Sequence, residues 1–140
     1  MFRRLFLSAF VVSLGLFLFL TGCSKIPYLK DEDPPQPPTH SHFNDILVPS
    51  EMKIDRESTF VFETQGFKAG TLHLTGYVDV ESITDFFRNN MPKDGWSLKS
   101  VFRHPKTMLL FEKERKTCII SVYEKTIMTH AEIYVAPTVQ

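Results

Sequence analysis

Hydrophobic and polar positions alternate with the period of a β-strand over much of the chain after residue 58. In "STFVFET", Phe60 and Phe62 fall on one face, and "GTLHLTGYV" alternates over nine positions. A period of two is the pattern of a strand that is buried on one face. The two glycines of "QGFKAG", between these runs, favour a hairpin connection.

Four further segments after residue 95 also have the composition of strands. They read "WSLKSVF", "TMLLFEK", "TCIISVYEK" and "HAEIYVAP", and short polar links suited to hairpins separate them. "TMLLFEK" is apolar on both faces, as a central strand would be. In "WSLKSVF" the alternation predicts that Trp96, Leu98 and Phe102 share a face.

One amphipathic helix is predicted in "DVESITDFFRNNMPKDGW". Asp79 suits the N-cap position, Pro92 ends the helix and Asp94-Gly95 turns the chain. Apolar residues at helical spacing form one stripe: Val80, Ile83, Phe86, Phe87 and Met91.

Together these elements predict an α+β fold for residues 45–137. We expect two layers, with one helix packed on a mostly antiparallel sheet of about five to six strands in the order ββαββββ. A single helix covers one face of such a sheet. We therefore expect His73, Tyr77, His130 and Tyr134 on the other face, either wet or covered by a partner.

The first 22 residues have the layout of a secretory signal. Two arginines are followed by an apolar run from Leu5 to Leu20 and then by small residues. Leu20-Thr21-Gly22-Cys23 resembles the lipobox of bacterial lipoproteins. That resemblance implies cleavage between Gly22 and Cys23, with diacylglyceryl and N-acyl chains on Cys23 that anchor the chain in a membrane. The alternative is an uncleaved signal anchor with an incidental cysteine.

Two further features bear on placement. Ser24 stands where the lipoprotein family often has an aspartate that retains the protein in the inner membrane, so the resemblance implies the outer membrane and its periplasmic face. Residues 23–44 are rich in proline and have neither a helix nor a strand period, which favours a flexible, extended tether. A proline ligand for an aromatic groove is a second interpretation, and we expect His40 and His42 to be solvated.

Charge excludes one class of partner. The whole chain has a net charge of zero, and loss of Arg3 and Arg4 with the signal leaves 14 Lys and Arg against 16 Asp and Glu. A nucleic-acid-binding domain needs a basic face that neutralises phosphates. We therefore expect no nucleic acid partner and no polybasic attachment to anionic lipid.

The sequence contains no pattern that predicts a catalytic centre, a cofactor site or a metal site. Phosphate-binding glycine loops, Gly-x-Ser-x-Gly, Cys-x-x-Cys and His-Glu-x-x-His are all missing. Cys118 alternates with Ile120 and Val122, which favours a buried free thiol. If His73 and His130 lie on neighbouring strands, they could share a metal ion with Glu132.

Three functions remain open at this stage. The favoured hypothesis is a lipid-anchored, non-enzymatic binding or assembly module that meets a periplasmic protein partner through a sheet face or edge, with His73, Tyr77 and Tyr134 as its surface. The alternatives are a metal-assisted or histidine-dependent envelope enzyme and a purely structural envelope protein. "DFFRNNMPKDGW" resembles a helix-to-strand junction in small uncharacterised bacterial lipoproteins, which implies an anchor and no particular activity.

Overall fold

The computed structural model describes residues 37–40 and 42–138, which fall within a compact unit spanning Pro34–Gln140. The strands are β1 Thr39–His40, β2 Leu47–Val48, β3 Met52–Ile54, β4 Phe60–Glu63, β5 Lys68–Gly76, β6 Ser97–Phe102, β7 Thr107–Lys113, β8 Lys116–Lys125 and β9 Met128–Pro137. Helix α1 spans Val80–Asn90 and is followed by a 3₁₀ turn, Met91–Asp94.

A seven-stranded sheet dominates the part of the chain that the structure describes. Its order is β3-β5-β9-β8-β7-β6, and β4 pairs with β5 on the edge that β3 also uses. Each pair of neighbouring strands is antiparallel. Strands β1 and β2 form a separate two-stranded ladder. The predicted α+β class, with one helix on a mostly antiparallel sheet, is therefore confirmed for the described residues.

The predicted count of five to six strands and the order ββαββββ are wrong. Five strands precede α1 and four follow it within the described residues. The additional strands β1, β2 and β3 have two or three residues each, too few to show an alternating pattern. Strand β3 is separated from β4 by a turn in which Asp55 accepts a hydrogen bond from the Ser58 hydroxyl at 2.7 Å.

Helix α1 forms where the sequence predicts it, for the predicted reasons. The Asp79 carboxylate caps the helix by accepting a hydrogen bond from the Ser82 backbone N–H at 2.8 Å. Ile83 and Phe87 are buried against the sheet, and the apolar stripe continues to Met91. After Pro92 the chain reverses at Gly95, whose φ of 84° favours glycine.

The second layer contains more than the helix. Residues 43–48 cover the same sheet face, and Phe43, Ile46 and Val48 are buried in one core with Phe87. Cys118 lies in this core as a buried free thiol, as predicted. Thr39 and His40 pair with β2 and Phe43 is buried in the core, so described residues from the end of the segment expected to be a tether belong to the folded unit.

A β-bulge in β6 changes which side chains share a face. The pairing shifts between Leu98 and Ser100, so Leu98 is opposite the buried Phe111 whereas Phe102 is opposite Met108 on the other face. The prediction that Trp96, Leu98 and Phe102 share a face is therefore wrong for Phe102. An extra residue in a strand inverts the alternation beyond it.

Candidate functional site

The face of the main sheet opposite α1 is the candidate functional surface, and we call it the open face. None of the described elements packs on it, so most of its side chains are partly or largely exposed, although Ser121 is buried among its neighbours. Strand register places its residues in rows that cross the sheet. One such row joins Thr71, Tyr134, Ile119 and Leu110, each opposite the next on a neighbouring strand.

An apolar band crosses the open face from one sheet edge to the other. Its members are Phe60, Phe62, Tyr134, Ile119, Leu110, Met108 and Phe102. Phe60 is 67% exposed and Phe102 is 54% exposed, so large apolar groups lie in water at both ends of the band. The band exposes about 500 Å² of side-chain surface, within the range of the largest patch that a monomeric protein carries.

The two edges of the sheet are less suited than its face to recruiting another strand. The outer edge strand β6 is interrupted by its bulge, where Lys99 pairs with Glu112 at 3.6 Å. The opposite edge is interrupted between β3 and β4 by residues 55–59. Bulges, short strands and edge lysines are the features that prevent edge-to-edge pairing. A partner would therefore bind the face of the sheet more readily than its edges.

A polar cluster centred on Glu132 borders the band. Tyr123 donates its hydroxyl to one carboxylate oxygen at 2.6 Å, and Tyr134 donates to the other at 2.9 Å. Lys106 lies 3.9 Å from the carboxylate and 3.5 Å from the centre of the Tyr123 ring. The imidazole of His130 also stacks on the Tyr123 ring, with 5.4 Å between the ring centres.

The electrostatics of this cluster keep its carboxylate charged and its phenols neutral. Burial raises the pKa of Glu132, but the hydrogen bonds from Tyr123 and Tyr134 and the charge of Lys106 outweigh burial, and the pKa is lowered overall. The hydrogen bond to Glu132 raises the pKa of Tyr123 to about 12. Burial and the same carboxylate raise the pKa of Tyr134. Near neutral pH, Glu132 therefore acts as a fixed hydrogen-bond acceptor that orients two tyrosine rings.

The structure brings together two of the three residues expected to form the interaction surface. His73 is directly opposite Glu132 on the open face, and Tyr134 lies in the apolar band. Tyr77 follows the end of β5 and is 76% exposed, outside the band. Cys23 and Gly22, expected to be lipidated and cleaved, lie outside the described residues.

The expected alternative, a metal ion shared by His73, His130 and Glu132, finds no supporting geometry. His73 and His130 do lie on neighbouring strands, but the ring of His130 stacks on Tyr123 and the Glu132 oxygens bind the two tyrosines. Within residues 37–40 and 42–138, no group of three or more His, Cys, Asp or Glu side chains is arranged to hold a metal ion.

Sequence reasoning missed most of the apolar band. Phe60 and Phe62 were expected to share one face of a half-buried strand, and they do share a face, but it is the open face. Ile119 lies between Cys118 and Ile120 in a run that is apolar on both faces, like "TMLLFEK". Runs that are apolar on both faces were the signal in the sequence. One helix covers only one face of a sheet, so the apolar side chains of the other face have no described element to bury them.

A cavity of about 230 Å³ lies away from the open face. It is lined by Phe43, Asn44, Asp45, Glu63, Lys68 and Lys116. Its charged groups bind one another, with Lys116 3.2 Å from Asp45 and Lys68 3.0 Å from Glu63. The cavity thus lies where residues 43–45 pack on the sheet, and its charged groups are already paired.

Comparisons with known proteins give no function for this chain. No family model, curated protein or solved structure matches this chain. Among the helices of the described residues, none has the length and apolar content needed to cross a membrane.

Proposed function

We propose that this chain is a lipid-anchored envelope lipoprotein whose folded unit is a non-enzymatic binding or assembly module facing the periplasm. Its partner surface is the open face. The observation that carries the proposal is the apolar band on a sheet face that no described element covers. Contiguous exposed apolar surface bordered by polar groups marks interaction sites on soluble domains.

The dimensions of the open face fit one protein partner. Six strand positions spaced by roughly 4.8 Å make the face about 25 Å wide, enough for the roughly 800 Å² per partner of a standard interface. The band would form its apolar centre, and His73, Lys106 and Glu132 would form part of its polar rim. A small-molecule site would instead need a concave pocket, and the cavity at Asp45 has no lining residue on this face.

The anchor rests on the sequence alone. Leu20-Thr21-Gly22-Cys23 fits the lipobox pattern, and Ser24 favours transfer to the outer membrane. Intact mass of the membrane-extracted protein tests this part. A mass that begins at Cys23 with two or three acyl chains supports the anchor, and a mass that retains Met1 without lipid contradicts it. Cys23→Ala is the control, because it removes the thiol that carries the lipid.

Photo-crosslinking tests the partner surface. A photoreactive amino acid replaces Ile119 in the band of the full-length protein, and the matched control replaces Ile127, an equally apolar residue that is 72% exposed in the β8–β9 turn. Irradiation of intact envelopes should give a discrete protein adduct from position 119 and none, or a weaker one, from position 127. Equal adducts from both positions, or no protein adduct from position 119, would contradict the proposal.

A further inference from the structure

The polar cluster centred on Glu132 already holds one ammonium group. The Nζ atom of Lys106 lies 3.5 Å from the centre of the Tyr123 ring and 3.9 Å from a carboxylate oxygen of Glu132. An aromatic face beside a carboxylate binds organic cations, because the ring quadrupole and the negative charge both attract the cation. The structure thus shows that this cluster fits the ammonium of a lysine side chain.

The groups that hold this ammonium are fixed by contacts within the sheet. The side chain of Glu132 is only 15% exposed, and its two oxygens accept hydrogen bonds from Tyr123 and Tyr134. His130 lies directly opposite Tyr123 on β9, and its imidazole stacks on the Tyr123 ring. A ligand would therefore meet a carboxylate and a ring that need little reordering on binding.

Lys106 is held more loosely than the groups around it. It belongs to the turn between β6 and β7, and its side chain is 42% exposed. The 3.9 Å between Lys106 and Glu132 is longer than a hydrogen bond, so the two groups attract each other by charge alone. Exchange of Lys106 for another ammonium therefore breaks no hydrogen bond to this carboxylate. His73, directly opposite Glu132, is the other cationic group that acts on it.

We propose that this cluster is a binding site for a lysine side chain of the partner protein, and that Lys106 occupies the site in the unbound protein. This inference rests on the proposed function, because it places the site at the polar rim of the partner surface. The present occupant defines the chemistry, which is a primary ammonium over the Tyr123 ring and beside Glu132. Lys106 then competes with the partner, so the apparent affinity is lowered by the fraction of molecules in which Lys106 fills the site.

An NMR titration of the purified full-length protein with Nα-acetyl-lysine amide tests the site itself. Nα-acetyl-norleucine amide, which has no ammonium, is the control probe, and a pH of about 8 keeps exposed histidines largely neutral. The test variant is Lys106→Ala. The matched control is Lys99→Ala, which removes another lysine of the open face, one that pairs with Glu112 at 3.6 Å. Circular dichroism of each variant checks that the fold is retained.

The lysine amide should shift the signals of Tyr123 and Glu132. Its affinity should be about tenfold higher in Lys106→Ala than in the wild type or in Lys99→Ala, because the competing ammonium is gone. Adding Glu132→Gln to Lys106→Ala should remove this gain, and the norleucine amide should give no shift at Glu132. An affinity that Lys106→Ala leaves unchanged, or a gain that persists with Glu132→Gln, would overturn the lysine site.

The photo-adduct from position 119 separates this inference from the proposed function. If the partner supplies the lysine, the yield of that adduct in intact envelopes should be higher in Lys106→Ala than in Lys99→Ala. Equal yields would overturn the partner as the source of the lysine and leave the proposed function standing. No adduct from position 119 in the unmodified background would contradict the proposed function, whatever the titration shows.

Discussion

At the scale of single residues, Glu132 fixes the geometry of the open face. Its two oxygens bind Tyr123 and Tyr134, so both rings are held against the sheet while Tyr134 remains 41% exposed. Ordered aromatic side chains lose little further freedom on binding, which favours them at interfaces. The cluster therefore prepares a rigid surface.

The lowered pKa of Glu132 should depend on the two phenols. Tyr123→Phe with Tyr134→Phe removes both donors while burial of the carboxylate remains, so the pKa of Glu132 should rise. An NMR titration of the Glu132 carboxyl carbon measures the change. Tyr77→Phe is the control, because Tyr77 is exposed and makes no contact with this cluster. An unchanged Glu132 pKa in the double variant would refute the role assigned to the tyrosines.

At the scale of elements, residues 43–48 act as part of the second layer of the fold. The Asp45 carboxylate lies 3.1 Å from Lys113 and 3.2 Å from Lys116, and its backbone oxygen accepts a hydrogen bond from the Trp96 indole at 2.8 Å. Burial raises the pKa of Asp45, but the hydrogen bonds and charges of the two lysines lower it overall. These contacts hold Phe43 and Ile46 over the core.

Asp45→Asn should destabilise the protein by about 2 kcal/mol at neutral pH, because two partly buried lysines lose a charged acceptor. A lowered folded-state pKa stabilises the fold above the unfolded value of 3.8, and this contribution is lost as pH falls through the folded value. The difference between wild type and variant should therefore shrink in acid. Urea unfolding at several pH values measures it.

The control for Asp45→Asn is Asp85→Asn, which removes an exposed pair with Arg88 on α1. Exposed pairs of this kind contribute little, so its effect should stay within about 0.5 kcal/mol. Equal effects of the two variants would show that residues 43–48 are not held by Asp45.

Sequence periodicity predicted the long elements and missed those that depend on tertiary contacts. Helix α1 was predictable because the Asp79 cap and its apolar stripe are local signals. Strands β1 to β3 were not, because two or three residues carry no period and their pairing partners lie elsewhere in the chain. The bulge in β6 has no clear local signal either, so Phe102 was assigned to the wrong face.

The candidate site was predictable only in part, for the same reason. Alternation showed that His73 and Tyr134 face away from Leu72 and Ile133. It could not show that they meet Glu132 and Ile119, because those neighbours depend on the order β5-β9-β8. Tyr77 satisfied the alternation but lies beyond the paired part of β5.

At the scale of the whole molecule, the two faces of the main sheet differ in burial. One face is buried by α1 and residues 43–48, and the other keeps an apolar band bordered by polar side chains. Under the proposed function, a partner in the envelope supplies the second covering layer.

Radical footprinting in the native envelope tests this central claim most directly. Oxidation of Met108, Tyr134 and Phe60 is compared between intact envelopes and the purified, detergent-extracted protein, with Tyr77 and Ile127 as exposed references outside the band. If a partner covers the open face, the three band residues are protected in the envelope while the references are oxidised equally in both samples. Equal oxidation of the band in both samples would show that the open face has no partner.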